Sequence, residues 1–226
     1  MSITAAIART PNADFEVTQV ELDPPRADEI LVRIHGVGLC HTDLAMRDLR
    51  IPIALPAILG HEGSGVVEAV GANVTKVKPG DHVVLTFNSC GTCVMCAQHQ
   101  PAYCKEFGSL NLSGTRLDGS HTTHQHGKPV NASIFSQSSF AEYSLACERN
   151  VVKVPDDVPL ELLGPLACGL QTGAGAVMRS MACRAGSSIV ILGGGSVGLS
   201  GSLAAIVQGC TTIIVSEPVA ERRALA

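Results

Sequence analysis

The run Cys90-x2-Cys93-x2-Cys96-x7-Cys104 constrains this chain more than any other feature. Three thiols at i, i+3 and i+6, with a fourth shortly after, can close around one ion, and zinc takes four ligands in a tetrahedron. Four thiolates leave no position open for chemistry, so such a site is structural and fixes a lobe with little apolar core of its own. An iron–sulfur cluster is the rival reading, because closely spaced Cys-x-x-Cys runs also hold clusters. The last gap differs from the bacterial ferredoxin run, and no proline follows Cys104. The chain has nine cysteines in 226 residues and no signal-peptide pattern at Met1-Ser2-Ile3-Thr4. A cytoplasmic protein is expected, whose cysteines serve metal or catalysis rather than disulfides.

Composition narrows the partners. A net charge of −4 gives no basic footprint for nucleic acid. No apolar run approaches the ~20 residues of a membrane-spanning helix. There is no tryptophan and little aromatic content, so the core is expected to be aliphatic.

The first part reads as β-rich. Ile30-Leu31-Val32-Arg33-Ile34 and Gly65-Val66-Val67-Glu68-Ala69-Val70 are strands between Gly, Pro and Asp turns, and Lys78-Pro79-Gly80-Asp81 feeds a strand His82-Val83-Val84-Leu85. Residues 108–137, rich in Gly, Ser, Thr and His, are expected to form a long loop. After Pro159 the pattern changes. Residues 160–179 read as helical segments, Ser188-Ile189-Val190-Ile191-Leu192 as a buried parallel strand, 197–207 as an apolar helix ended by Gly209, and Thr211 to Glu217 as a second strand. That is β-turn-α-β, the opening of a doubly wound sheet.

Three separated elements could supply a second metal site: Gly38-Leu39-Cys40-His41-Thr42-Asp43, Gly60-His61-Glu62-x2-Gly65-x5-Gly71, and Pro165-Leu166-Ala167-Cys168-Gly169. Singly each is weak. Together, in their order with the four-cysteine lobe and a glycine-rich turn, they resemble the zinc alcohol dehydrogenases of the medium-chain dehydrogenase/reductase superfamily, over essentially the whole chain. The resemblance implies an α/β protein: a GroES-like β-rich catalytic domain over 1–158, then the start of an incomplete Rossmann NAD-binding domain over 159–226. It implies two zinc ions per subunit, one on Cys90, Cys93, Cys96 and Cys104, and a catalytic one on Cys40, His61 and Cys168. It implies that Glu62 lies behind the catalytic ion and that Asp43 orients the ligand histidine. Asp43 also reads as an acid at a helix N-terminus.

Gly193-x-Gly195-x2-Gly198 follows an apolar strand and opens an apolar helix, the context a dinucleotide turn requires. Glycines there let the backbone approach a pyrophosphate at the helix N-terminus. Glu217, at the end of the second strand, suits the ribose hydroxyls and would repel a 2′-phosphate, favouring NAD over NADP. Arg222 matches a basic position near that ribose, and also reads as a solvated helix charge. Thr172 matches a residue beside the nicotinamide.

The resemblance further implies a zinc-dependent, NAD-linked oxidoreductase that turns a primary alcohol into its aldehyde by hydride transfer from a zinc-held alkoxide. Thr42 would receive the alcohol proton. Many relatives pass it to a histidine three residues on, where this chain has Ala45. His41 is then the alternative base, or a phosphate contact only. The Cys-His-Thr-Asp segment and the sequence around Cys168 resemble the benzyl (aryl) alcohol dehydrogenase branch, with a small alcohol or aldehyde as ligand and a homo-oligomer as assembly. An alternative is a truncated zinc-binding remnant without turnover, since the sheet reads as two strands of a larger one. Cys147, Cys183 and Cys210 read as core or bystander residues, and His121, His124 and His126 as part of the solvated loop.

Overall fold

The computed structural model describes residues 1–226. They form two compact units, Met1–Gly164 and Pro165–Ala226. Cohesion therefore changes a few residues after the expected boundary at position 158. The reason is local: Ser64 Oγ donates to Leu160 O at 2.6 Å, and a Cβ on Gly164 would lie 2.3 Å from Glu62 O. Residues 160–164 are thus packed onto the first unit.

Ten strands build that unit: β1 (Ser2–Ala8), β2 (Glu16–Leu22), β3 (Glu29–Val37), β4 (Ala57–Ile58), β5 (Gly63–Val70), β6 (His82–Leu85), β7 (Thr123–Gln125), β8 (Lys128–Val130), β9 (Tyr143–Cys147) and β10 (Val151–Lys153). They make two sheets of order β4-β1-β2-β7-β8 and β10-β6-β5-β3-β9. Alternation places the cores. Ile3, Ala5 and Ile7 face inward from β1 and pack with Val20, Leu22, Ile58 and Val130, while Ile30, Val32, Val67, Val83 and Leu85 fill the second sheet's core. The expected strands over 30–34, 65–70 and 82–85 are all present, the first two extended by a few residues.

Residues 108–137 do not form one plain loop. Thr123 and His124 pair with Leu22 and Glu21 of β2, and β7 returns as β8. The turn His126-Gly127 has φ of 50° and 71°, the left-handed pair a tight hairpin needs. A histidine in place of the usual asparagine hid that turn. Arg116 anchors the same segment, donating to Glu29 Oε1 at 2.6 Å and to Asp23 Oδ2 at 3.2 Å. Three short helices complete the unit where it matters below: α1 (His41–Arg47), α2 (Val94–Ala97) and α3 (Phe107–Asn111).

The second unit holds α4 (Gly169–Gly175), a π-helical turn over Ala176–Ser180, β11 (Ser188–Leu192), α5 (Ser196–Val207), β12 (Thr212–Ser216) and α6 (Ala220–Arg223). β11 and β12 run parallel in register from Ser188↔Thr212 to Leu192↔Ser216. Ile189, Ile191 and Ile213 pack with Val177, Ala204 and Ala205, and Cys183 and Cys210 join that core. Val190, Leu192 and Ile214, on the opposite face of the strands, are exposed. Gly209, with φ of 76°, ends α5 as expected.

Candidate metal centres and dinucleotide turn

The four lobe thiols converge. The Sγ atoms of Cys90, Cys93, Cys96 and Cys104 all lie within 4.8 Å of one another. Cys90 and Cys96 sulfurs are 3.9 Å apart, about twice a disulfide bond. Backbone N–H groups point at sulfur, with Cys93 N donating to Cys90 Sγ at 3.3 Å and Cys90 N to Cys104 Sγ at 3.2 Å. N–H donation from Thr92 and Cys93 draws the Cys90 thiol down to about 6, whereas loss of solvent pushes Cys96 up to about 11. Gly91, at φ of 74°, supplies the left-handed residue that turns the chain between the first two thiols. Neither α2 nor the turn Pro101–Tyr103 contains a buried residue. The donor set, soft, clustered and backbone-supported, fits a closed zinc site.

The second group is buried at His61 and Glu62 and half-buried at Cys40. Cys40 is the residue before α1, and His61 and Glu62 lie on the loop entering β5; their ligand atoms fall within 4.8 Å of one another. His61 is 2% exposed and Glu62 4%. Asp43 Oδ1 lies 3.0 Å from His61 Nδ1 and also accepts Gly60 N at 3.0 Å. A proton on Nδ1 shared with that carboxylate leaves the Nε2 lone pair free to ligate. Nε2 is itself buried and has no hydrogen-bond partner. An orphaned imidazole nitrogen beside a thiol and a carboxylate fits a metal ion. Burial alone would lower the His61 pKa, but the Asp43 carboxylate and the Cys40 sulfur outweigh it and push it up to about 10. Asp43 and Cys40 together favour positive charge at this position.

Glycines make the room. A Cβ on Gly38 would stand 1.8 Å from Glu62 Oε2, and Gly38 N donates to Glu62 O at 3.0 Å. His41 is exposed on α1 and Thr42 half-buried beside it. Cys168 belongs to the second unit, as the residue preceding α4, with Thr172 one turn along that helix.

In the second unit, Gly193 and Gly195 lie in the turn between β11 and α5, and Gly198 lies in the first turn of α5. Gly193 has φ of 105°. A Cβ on Gly198 would meet Gly193 O at 1.8 Å, so only glycine lets the helix start this close to the strand. Glu217 closes the turn, accepting Gly194 N at 2.7 Å on Oε2 and Val219 N at 2.9 Å on Oε1. Those N–H donors hold its carboxyl below the usual range, so it stays ionised. Arg222 lies on α6 nearby in sequence and is exposed.

Two residues outside the expected set, the half-buried Phe135 and the buried Gln137, complete the His61 surroundings. Phe135 stacks on the His61 ring, centroids 4.8 Å apart at 29°. Gln137 donates from Nε2 to His61 O at 3.0 Å and accepts Gly63 N at 3.1 Å on Oε1. No spacing rule points to either, since both lie more than seventy positions from His61 along the chain.

The family model described as the alcohol dehydrogenase GroES-like domain matches residues 26–156. A geraniol dehydrogenase from Castellaniella defragrans is 51% identical over all of this chain and 61% of its own length. A solved alcohol dehydrogenase zinc-binding domain protein from Burkholderia ambifaria is 52% identical with a TM-score of 0.97, covering 100% of this chain and 61% of that one. The benzyl alcohol dehydrogenase from Acinetobacter calcoaceticus is 48% identical with a TM-score of 0.94, at the same coverage. The chain spans 61% of the length of these relatives.

Proposed function

The chain belongs to the zinc-type alcohol dehydrogenases, and on that footing we propose that it serves an NAD-linked oxidoreductase that turns a primary, aryl-type alcohol into its aldehyde. One observation carries the reading: His61 Nε2 is buried and unpartnered while Asp43 holds Nδ1. Cys40, His61 and Cys168 would hold the catalytic zinc with Glu62 behind it, and the four-thiol lobe the second ion. The assignment of Cys168 rests on its match to the family's sequence pattern. When bound, zinc supplies Lewis acidity that lowers the pKa of an alcohol, and NAD supplies a hydride acceptor.

The chain's own residues do the rest. Asp43 keeps the His61 tautomer fixed. Thr42 relays the alcohol proton, its hydroxyl giving up its own proton as it accepts the incoming one. Ala45 offers no onward base, so the proton leaves to solvent or through His41, which is exposed. Gly193, Gly195 and Gly198 leave space for a pyrophosphate at the start of α5. Glu217 would hold the ribose hydroxyls on the lone pairs that its N–H partners leave free. Thr172 would flank the nicotinamide and Arg222 the adenosine ribose. A cytoplasmic homo-oligomer belongs to the same proposal.

A second reading is zinc retention without turnover. One experiment separates the two. NADH formation is followed with benzyl alcohol, geraniol and ethanol for the zinc-replete protein, Thr42→Val and Cys168→Ser. Aryl-alcohol oxidation that disappears in both variants supports the first reading. Two bound zinc ions with no oxidation of any alcohol supports the second. Undiminished turnover in Cys168→Ser contradicts the ligand assignment.

A further inference from the structure

The antiparallel register of β5 and β6 runs from Val66↔His82 to Ser64↔Val84 and stops there. The next residues of the first strand are the loop that carries His61 and Glu62. Where the ladder opens, a side chain takes its place. Gln137 bridges the gap, with Oε1 accepting Gly63 N at 3.1 Å on one side and Nε2 facing Leu85 O at 3.2 Å and Thr86 O at 3.3 Å on the other. The same Nε2 reaches His61 O at 3.0 Å. A carboxamide has the donor and acceptor of a peptide group, so it can replace one rung of a sheet. Gln137 is 1% exposed and is the one polar member among the largest fully buried side chains. A buried amide that lost these partners would be left unsatisfied.

The segment carrying Gln137 is bent to deliver it. Phe135, Ser136 and Ser138 have φ of 52°, 52° and 50°, a conformation L side chains seldom adopt. Surrounding bonds over-determine that path. Asn88 Nδ2 donates to Ser136 Oγ at 3.1 Å, Asn150 Nδ2 to Ser136 O at 2.9 Å, and Ser138 Oγ to Ile58 O at 2.6 Å. Strain of this kind persists where the structure needs the side chain it aims. The metal loop is docked along the same segment, with Ser139 N donating to Gly60 O and Phe140 N to Leu59 O, both at 2.9 Å. His61 is therefore fixed by Asp43 on Nδ1, by Phe135 on its ring face and by Gln137 on its carbonyl. Only Nε2 is left uncommitted.

We propose that Gln137 is a positioning residue for the metal loop: its carboxamide substitutes for a missing strand rung and holds His61 and Glu62 in place for the ion. The proposal rests on the reading that His61 ligates a metal. The test uses the full 226-residue chain loaded with zinc, and then with cobalt at the labile site. Release of each ion to a chelator is timed, and the cobalt absorption band is recorded.

Gln137→Met keeps the length and removes both hydrogen-bonding functions. It is expected to speed release of the labile ion by about tenfold or more and to shift the cobalt band, with the tightly held ion unaffected. Gln137→Glu keeps the acceptor for Gly63 N but turns an oxygen toward three carbonyls, and should move both readouts the same way if the methionine variant folds poorly. Thr122→Val removes another buried bond of the same unit, from Thr122 Oγ1 to Ala132 O at 3.1 Å. It should lower Tm and leave the release rate alone. Release from both Gln137 variants within about twofold of the parent, or acceleration matched by Thr122→Val, overturns the proposal. A parent chain with no labile ion would instead remove His61 as a ligand, and this inference with it.

Discussion

The two metal-type clusters of the first unit are ordered in opposite ways. Between Cys90 and Cys104 the chain buries almost nothing: Val94 is 50% exposed and Tyr103 68%. The thiols face each other across a lobe whose one common partner would be the ion. Around His61 the protein does the work itself. Asp43, His61 and Glu62 are 2–4% exposed, Gly60 N donates to Asp43, and Gly63 N and His61 O are both bonded to Gln137. The difference teaches that a closed site can be the fold of its lobe, whereas an open site must be framed in advance so that its ion can exchange ligands.

The largest expected effect attacks the lobe. In Cys93→Ser, metal binding that equals folding is lost, so residues 90–104 should lose amide protection in hydrogen exchange and the tightly held ion should disappear. The β-sheets should stay protected. A lobe that remains protected without its ion would erase the contrast.

The next effect falls on the frame of the other site. Asp43→Ala frees the His61 tautomer and removes a buried carboxylate, and should weaken the labile ion about 10- to 100-fold in a competition titration. The lobe ion should not respond.

A smaller effect follows from the raised pKa of His61, about 10 against an ordinary 6.5. Zinc must displace that proton, so below pH 10 each unit of acidification should weaken the labile ion by about tenfold from this group alone. Without metal the sign for stability is the reverse of an acid's. The stabilising contribution of protonated His61 is complete below pH 6.5 and is lost as pH climbs toward 10. Zinc affinity of the labile site that is flat from pH 8 to pH 6 would contradict this raised pKa. The smallest effect is Gly91→Ala, where a side chain forced to φ of 74° and against the Arg149 guanidinium should cost about 1–2 kcal/mol and loosen the lobe.

The same contrast explains what could be read before the fold was known. The lobe thiols sit within one short stretch, so spacing alone exposes them. Cys40 and His61 belong to different elements, and only the resemblance joined them. Asp43 was legible the same way, and its bond to His61 is present at 3.0 Å. Strands 82–85 and 188–192 announced themselves by apolar runs between turn residues. Gln137 and Phe135 did not, because Ser136-Gln137-Ser138-Ser139 looks like any polar loop. Their meaning lies in partners on Gly63, His61, Leu85 and Thr86, and no local periodicity encodes contacts at that separation. The hairpin at 123–130 was hidden for a related reason: it pairs with β2 across a hundred positions.

The most direct test of the two-site account is the metal content of the purified chain before and after mild chelation. The account predicts two zinc ions, one removed by the chelator and restored by added zinc, the other retained until the lobe is denatured. A single ion in total, iron in place of zinc, or two ions released together would contradict it.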